Sequence, residues 1–336
     1  MTNKSLLSWT NVAGPWILAY ICASLCLPSS PAFAQTQTGK VILCEPTRSV
    51  NLIAPFVAQK EGIFKTEGLD VDVVQALSSV CIAGLASKTI DYTTTLGGDV
   101  MSAGMRGLPI RGVMAMHNGS DYGFLARQEI KDFNNLRGKA VGVSRVGSGA
   151  DLAARFILEK NGLAAGKDVQ ISPLGSMEAR VGALENGLIA AAIISMPAAF
   201  ELEKKGYRPL VWGPDMAGLP FLNGITTMAD KIKNRPDEVK KFIRSILKAN
   251  KFIHEQREKT ISFIMQWMRI NPELARKSYE VALPGFTLTG EPRENVMKLI
   301  LEQAKKDSGV TGEVPISVGA DFSLLKEVQR DLGVSR

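Results

Sequence analysis

From residue 40 onward the chain alternates short apolar strands with helices, and this alternation restricts the fold more than any other feature of the sequence. The segment 41–43 (Val-Ile-Leu) predicts a buried strand. A helix is predicted over residues 55–61, with Pro55 at its first position and Gly62 just past its end. Alternation of apolar residues with Asp over 69–73 predicts a half-exposed strand. Repeats of this kind predict a mostly parallel sheet covered by helices on both faces.

A second unit of the same kind opens near residue 139. The pattern predicts its strands at 139–143, 169–171 and 189–194, and its helices at 148–161, 176–185 and 197–205. The spacing of strand and helix in this unit repeats that of the first unit with one extra residue. Two similar α/β lobes would explain this repeat, although ordinary α/β spacing also produces it. The length of the chain, 336 residues, also exceeds what one small core usually serves.

After residue 230 the pattern becomes helical. Apolar residues at helical spacing over 239–253 and 261–268 predict two packing helices, and Pro236 marks the start of the first. Asn271 is predicted to cap a third helix. We expect these helices to return to the first lobe, which would then be discontinuous in sequence. The expected division is residues 35–126 and 221–336 for lobe I and residues 127–220 for lobe II.

The N-terminal residues 1–34 have the features of a removable signal peptide. Lys4 gives a positive start, residues 15–27 are apolar, and a small-x-small cleavage site ends at Ala34. A membrane anchor is the alternative, but the apolar run is shorter than the roughly 20 residues that a spanning helix needs, and Pro28 and Pro31 follow it. We therefore expect export to the periplasm with cleavage after Ala34.

Charge and cysteine content restrict the partners and the compartment. Loss of Lys4 with the leader lowers the formal net charge from +7 to +6, and no run of Lys and Arg exceeds two residues. This pattern lacks the basic stripe of nucleic-acid binding, so we expect no nucleic-acid partner. Cys44 and Cys81 remain after cleavage, and in an oxidising compartment they either form a disulfide or are two small buried residues.

Motifs of enzymes and cofactor sites are absent from the sequence. There is no HExxH, no paired CxxC and no P-loop. Gly147-x-Gly149 follows a predicted strand, but Leu152 stands at the third glycine position and no acidic residue follows at the spacing that ribose binding requires. We expect no catalytic residue, no cofactor and no metal. His117 ends the predicted strand 110–116, where turn packing and ligand contact are equally good explanations.

Candidate ligand-binding residues lie where predicted strands end and helices begin, because ligands of open parallel sheets bind there. These candidates are Arg48, Ser49, Asn51, Ser79, Thr95, His117, Arg145, Ser148, Gly149 and Met196. Several of them have a structural alternative. Ser148 forms an S-x-x-D capping box with Asp151, and Arg48 and Arg145 are either anion partners or solvated surface charges. Thr95 extends a β-branched strand, and Met196 lies either in the core or at the cleft floor.

The chain resembles the substrate-binding proteins of the NitT/TauT type, also called the SsuA/THI5-like group or NMT1 family. The resemblance is carried by 55–71 (PFVAQKEGIFKTEGLDV), 131–133 (KDF), 136–139 (LRGK) and the Gly-Ser-Gly turn at 147–149. It covers residues 39–225 well and the helical tail only in outline.

This resemblance implies a type II periplasmic-binding-protein fold, in which two α/β lobes are joined by a two-crossing hinge and followed by a helical C-terminal segment. The hinge is expected near 124–128 and 212–222, and Ser49, Asn51, Ser79, Thr95, Ser148 and Gly149 correspond to ligand-contacting positions of the family. The implied function is that of a periplasmic, monomeric, non-enzymatic protein. From the mildly basic net charge, Arg145 and the Ser148 turn, we expect it to bind a small organic anion of the sulfonate, carboxylate or nitrate class. It would then deliver this ligand to an ABC permease with its cytoplasmic ATPase.

Two further functions are compatible with the same fold. One is an enzyme similar to the thiamine-pyrimidine synthases or the menaquinone-pathway enzymes, which the predicted leader opposes. The other is a ligand-sensing module that docks onto a membrane receptor. The sequence does not separate sensing from import, and it does not identify the ligand.

Overall fold

The fold is described from a computed structural model, which covers residues 39–213, 219 and 222–334. The predicted leader and its cleavage site lie outside the described residues. The strands are β1 Val41–Glu45, β2 Val71–Gln75, β3 Tyr92–Thr95, β4 Ile110–His117, β5 Tyr122–Ala126, β6 Ala140–Val143, β7 Gln170–Pro173, β8 Ala191–Ser195, β9 Arg208–Trp212 and β10 Asn223–Met228.

Helices alternate with these strands and then dominate the C-terminal third. They are α1 Ala54–Lys60, α2 Ile63–Thr66, α3 Ser78–Ala86, α4 Gly98–Met105, α5 Gly149–Lys160, α6 Met177–Glu185, α7 Ala198–Lys204, α8 Ala229–Asn234, α9 Pro236–Glu255, α10 Arg257–Met268, α11 Pro272–Ala282, α12 Glu294–Ser308 and α13 Ser323–Leu332. Among the described residues, we find no helix whose length and apolar character would let it cross a bilayer.

The strands form two five-stranded sheets with matching topology. The first sheet has the order β2-β1-β3-β10-β4, and the second has the order β7-β6-β8-β5-β9. In each sheet, a strand that arrives from the other half of the chain runs antiparallel to its two neighbours: β10 in the first sheet and β5 in the second. The repeat of strand and helix spacing in the sequence therefore corresponds to two α/β lobes of the same strand order.

The chain crosses between the sheets twice. The first crossing, residues 118–121, joins β4 to β5, and the second joins β9 to β10. The sequence predicts this crossing near 124–128 and the end of the first part of lobe I at residue 126. The structure differs here, because residues 122–126 are an apolar strand that pairs with β8 and β9 of the second sheet. The chain therefore enters the second sheet at Tyr122.

The late helices pack against the first sheet, as their apolar stripes indicated. Buried residues of α9, α10, α11 and α13 share one core with β1, β2, β4 and β10. Within this core, the ring of Phe242 stacks on Tyr92 at a centroid distance of 4.0 Å and lies 5.3 Å from the ring of Phe64. Pro236 begins α9, and the Asn271 side chain accepts a hydrogen bond from Leu274 N at the start of α11.

A disulfide joins Cys44 of β1 to Cys81 of α3 across 37 residues of sequence. Closing a loop of this length restricts the unfolded chain, which by loop entropy stabilises the folded state by about 2–4 kcal/mol. We expect the double variant Cys44→Ala/Cys81→Ala to lose about that free energy of unfolding, measured by urea denaturation without reductant. An unchanged midpoint and slope would contradict a stabilising role for the bridge.

Candidate functional site

A cavity of about 670 Å³ lies where the two sheets meet. Most of its lining comes from the segments that follow β1, β2, β3 and β6 and from the start of α6. Asp121 of the first crossing, Tyr122 at the start of β5 and Ser195 at the end of β8 also line it. The cavity thus faces the carboxyl ends of parallel strands in both sheets, which is the usual position of ligands in open α/β sheets.

Most of the residues predicted from sequence surround this cavity. Those that line it are Arg48, Ser49, Asn51, Ser79, Thr95, Arg145, Ser148 and Gly149. They come from segments up to 101 positions apart in the sequence, and the fold brings them to one cleft. Their contact with a ligand remains a prediction.

His117 and Met196 do not line the cavity. His117 is 1% exposed, because the segment around Gly285 covers the end of β4. Its two ring nitrogens contact main-chain oxygens, Nε2 with Ala282 O at 2.8 Å and Nδ1 with Gly119 O at 2.9 Å, while burial lowers its pKa to about 4. Turn packing is therefore the role of this histidine in the structure. Met196 is buried in the core of the second lobe, beside Phe200.

Ser148 caps helix α5, as the S-x-x-D pattern indicated. Its Oγ accepts from Asp151 N at 3.3 Å and from the Ser144 hydroxyl at 2.8 Å, and it donates to Arg145 O at 2.6 Å. The Asp151 carboxylate completes the box by accepting from Gly147 N at 2.8 Å. Because the single proton of Ser148 is already donated within the turn, this hydroxyl has no second proton to offer an anion.

Arg145 forms an ion pair with Asp99. Asp99 belongs to α4 of the first lobe and also accepts from the Ser78 hydroxyl at 2.6 Å, whereas Arg145 follows β6 of the second lobe. The pair therefore connects the two lobes beside the cavity. Since Asp99 already balances its charge, Arg145 is a weaker partner for an anionic ligand than the sequence suggested.

Arg180 of α6 lines the cavity and was missed by the sequence analysis. It is 6% exposed, and its guanidinium donates to Ile193 O at 2.5 Å and to Ser176 O at 3.4 Å. No carboxylate of the described residues lies within 4.0 Å of this guanidinium. Burial lowers its pKa, because the charged form loses solvation. Its position on the same helical face as Ala183 and Leu184 was the signal that could have revealed it.

Asp121 is the second residue that the sequence analysis missed. It lies in the first crossing, is 1% exposed, and lines the cavity beside Ser49 and Asn51. The Ser49 hydroxyl contacts Asp121 Oδ2 and also Asn51 Oδ1, and Asn51 Nδ2 donates to Asp121 Oδ1 at 3.1 Å. Burial raises the pKa of Asp121 to about 7, against an opposing effect of the Ser49 hydrogen bond.

This raised pKa predicts a pH-dependent loss of stability. The ordinary pKa of the carboxyl is 3.8, so the contribution of Asp121 is fully present below pH 3.8 and is lost as the pH rises through about 7. Between pH 6 and pH 8 the loss is about 1.4 kcal/mol. We expect Asp121→Asn to lack this loss in urea unfolding at both pH values. Glu45 and His117 also titrate with shifted pKa values, but they are present in both proteins and cancel in the comparison.

Identical pH dependence of the two proteins would contradict a raised pKa at Asp121. Asn is a suitable replacement because it has the shape of the protonated carboxyl and carries no charge.

Comparison with known proteins identifies the family. The family model described as NMT1/THI5 like matches residues 49–260. A riboflavin-binding protein, RibY of Chloroflexus aurantiacus, is 25% identical over 253 residues, which cover 69% of this chain and 70% of RibY.

Two solved structures show the fold. The alkanesulfonate-binding protein SsuA of Xanthomonas axonopodis pv. citri superposes with a TM-score of 0.69 at 16% identity, over 86% of this chain and 97% of SsuA. The periplasmic nitrate-binding protein NrtA of Synechocystis gives a TM-score of 0.71 at 14% identity, over 88% of this chain and 89% of NrtA. The chain thus has the type II periplasmic-binding-protein fold, with two α/β lobes and a helical C-terminal segment. Because the family model matches more than half of its length, the protein belongs to the NMT1/THI5-like family.

Proposed function

We propose that this protein is an exported solute-binding protein that takes up a small organic anion between its two lobes and delivers it to an ABC importer. The main support for an anionic ligand is the position of Arg180. This residue is buried at the cavity without an ionic partner among the described residues. Two proteins of similar fold also support a negatively charged ligand: SsuA is an alkanesulfonate-binding protein and NrtA is a nitrate-binding protein.

Burying a charged group without a counter-ion costs free energy. A guanidinium that is removed from water without a counter-ion loses several kcal/mol of solvation, and two hydrogen bonds to main-chain oxygens recover only part of that loss. An acidic ligand group at Arg180 would supply the missing negative charge. It would also accept hydrogen bonds from the remaining N–H groups of the guanidinium. The affinity gained in this way favours anions over neutral analogues of the same shape.

The size of the cavity favours an organic ligand over an inorganic ion. A volume of about 670 Å³ is in the range of sites that bury drug-sized molecules, which is roughly 300–1,000 Å³. Nitrate would fill only a small part of this space. Closure of the lobes around the first and second crossings would then remove the ligand from water.

A thermal-shift screen tests this proposal. Protein purified after expression of the full chain is screened against sulfonates, carboxylates, nitrate and pyrimidines. A ligand at a hundredfold excess over its Kd stabilises the folded state by about 2.7 kcal/mol, which is visible as a higher Tm. We expect stabilisation by at least one organic acid and a smaller effect of its amide or ester. Equal stabilisation by acid and neutral derivative would contradict the anion, and stabilisation by no compound would contradict solute binding of these classes.

Delivery to an importer needs a separate test, because a ligand sensor would give the same binding result. We expect the liganded protein to stimulate ATP hydrolysis by its permease–ATPase complex in proteoliposomes. Binding of the ligand without any such stimulation would favour a sensing role.

A further inference from the structure

In addition to Arg180, the cavity is lined by a polar cluster that contains an acidic side chain. The cluster is formed by Asp121, Ser49 and Asn51. Each of the three side chains is at least 98% buried, and each lines the cavity. Asp121 belongs to the first crossing, whereas the other two belong to the loop after β1. The acidic member of this cluster has no ion pair among the described residues.

Hydrogen counting shows that the cluster lacks one proton when Asp121 is ionised. The Ser49 hydroxyl touches two oxygens, Asn51 Oδ1 and Asp121 Oδ2, but it has only one hydrogen to donate. If Asp121 is ionised, one of these contacts brings two acceptors together. A proton on Asp121 removes the conflict, because the acid then donates to Ser49 and the hydroxyl donates to Asn51.

Rotating the Asn51 amide by 180° does not remove the deficit. Its Nδ2 would then donate to Ser49, and Ser49 to Asp121 Oδ2, but Asn51 Oδ1 would face Asp121 Oδ1 across 3.1 Å. These are again two acceptors unless the acid is protonated. In either orientation the cluster therefore accepts one more hydrogen than its ionised form contains. The raised pKa of Asp121 agrees with this count.

The cluster and Arg180 line the same cavity. The phenol of Tyr122 is the common neighbour: burial raises its pKa, the charge of Asp121 raises it further, and the charge of Arg180 opposes the rise. Both charged groups are therefore within electrostatic reach of one side chain that lines the cavity. A ligand of the size that the cavity admits can reach both.

We propose that the cluster of Asp121, Ser49 and Asn51 is a subsite for an ammonium or N–H donor, so that the ligand carries a donor at one end and an acidic group at the other. This assignment rests on the proposed function, in which Arg180 binds the acidic group. The donor supplies the hydrogen that the ionised cluster lacks. A simple monoanion without a donor leaves the cluster unsatisfied or protonated.

Matched pairs of probes test the subsite by isothermal titration calorimetry at pH 7.5. The pairs are 3-aminopropanesulfonate with propanesulfonate, 4-aminobutyrate with butyrate, and 4-(aminomethyl)benzoate with 4-methylbenzoate. In the wild-type protein, we expect at least one aminated member to bind at least about tenfold more tightly than its partner, since a hydrogen bond to a charged group is stronger than one between neutral groups. In Asp121→Asn, we expect this ratio to fall towards one.

The control is Asp72→Asn, which removes a carboxylate of β2 that pairs with Lys40 outside the cavity. It should leave the ratio unchanged. Thermal unfolding of each variant in the same buffer shows whether it is folded, and Asn at position 121 keeps the shape of the protonated acid. A wild-type ratio near one for every pair, or a ratio that Asp121→Asn leaves intact, would overturn the donor subsite.

The outcomes separate this inference from the proposed function. Acid-only members that bind as tightly as aminated ones, and lose affinity in Arg180→Met, would leave the anion site standing and remove the donor subsite. Aminated members that depend on Asp121 but not on Arg180 would support the donor subsite and overturn the two-ended ligand. Binding by no member of any pair would overturn the two-ended ligand for molecules of this size.

Discussion

Replacement of Arg180 by Met is expected to weaken ligand binding about a hundredfold while leaving the unliganded protein at least as stable as the wild type. The affinity falls because removing one partner of a buried, hydrogen-bonded charge pair costs about 2–5 kcal/mol. Stability does not fall in parallel, because Met fills similar space and removes a buried guanidinium that has no ionic partner among the described residues. Calorimetric titration with the tightest acid from the screen and urea unfolding measure the two effects.

This pairing of lost affinity with retained stability distinguishes a binding residue from a structural one. If Arg180 served only to hold α6 against the strand that contains Ile193, its replacement would lower stability and affinity together. The control is Arg127→Met, since Arg127 pairs with Glu129 outside the cavity and should alter neither quantity by more than about 0.5 kcal/mol. An unchanged Kd in Arg180→Met would contradict the proposed anion site.

Replacement of Lys231 by Met is expected to destabilise the fold by about 3 kcal/mol. The Lys231 ammonium is 2.6 Å from Asp91 Oδ1 and 2.8 Å from Glu238 Oε1, and its side chain is only 11% exposed. Removing one member of a buried pair leaves the other charged and poorly solvated. The Glu238 side chain is 4% exposed, and among the described residues it would keep Arg235 and the Tyr92 hydroxyl as partners.

Lys88 provides a matched control for Lys231. It pairs with Asp230 at 2.6 Å, which is no longer than either ion-pair distance of Lys231, but the two side chains are 69% and 44% exposed. Exposed pairs contribute about 0–1 kcal/mol, so Lys88→Met should change the free energy of unfolding by less than 1 kcal/mol. Similar losses in both variants, measured by urea unfolding, would contradict the role of burial. Neither variant should change the affinity for the ligand, because neither lysine lines the cavity.

The order of helices and strands was predictable because each has a local pattern. Pro236 at the start of α9 and the capping box of Ser148 and Asp151 depend on residues within one turn, and the structure contains both. The first crossing was misplaced for a physical reason. Residues 122–126 are apolar and extended, and only the long-range pairing of β5 with β8 and β9 decides which sheet they join.

The candidate site was predictable in position but not in its electrostatics. The rule that ligands bind at the carboxyl ends of strands selected Ser49, Asn51 and Arg145, and all three line the cavity between the two sheets. It could not show that Arg145 is already paired with Asp99, because those residues are 46 positions apart and belong to different lobes. Likewise, the burial of Arg180 and Asp121 depends on tertiary packing, which no local sequence pattern shows.

The most direct test of the account is a crystal structure of the protein with the acid that stabilises it most. We predict that the ligand lies between the two sheets, with its acidic group within hydrogen-bonding distance of the Arg180 guanidinium. A ligand bound outside this cavity, or bound inside it with its acidic group away from Arg180, would contradict the central claim.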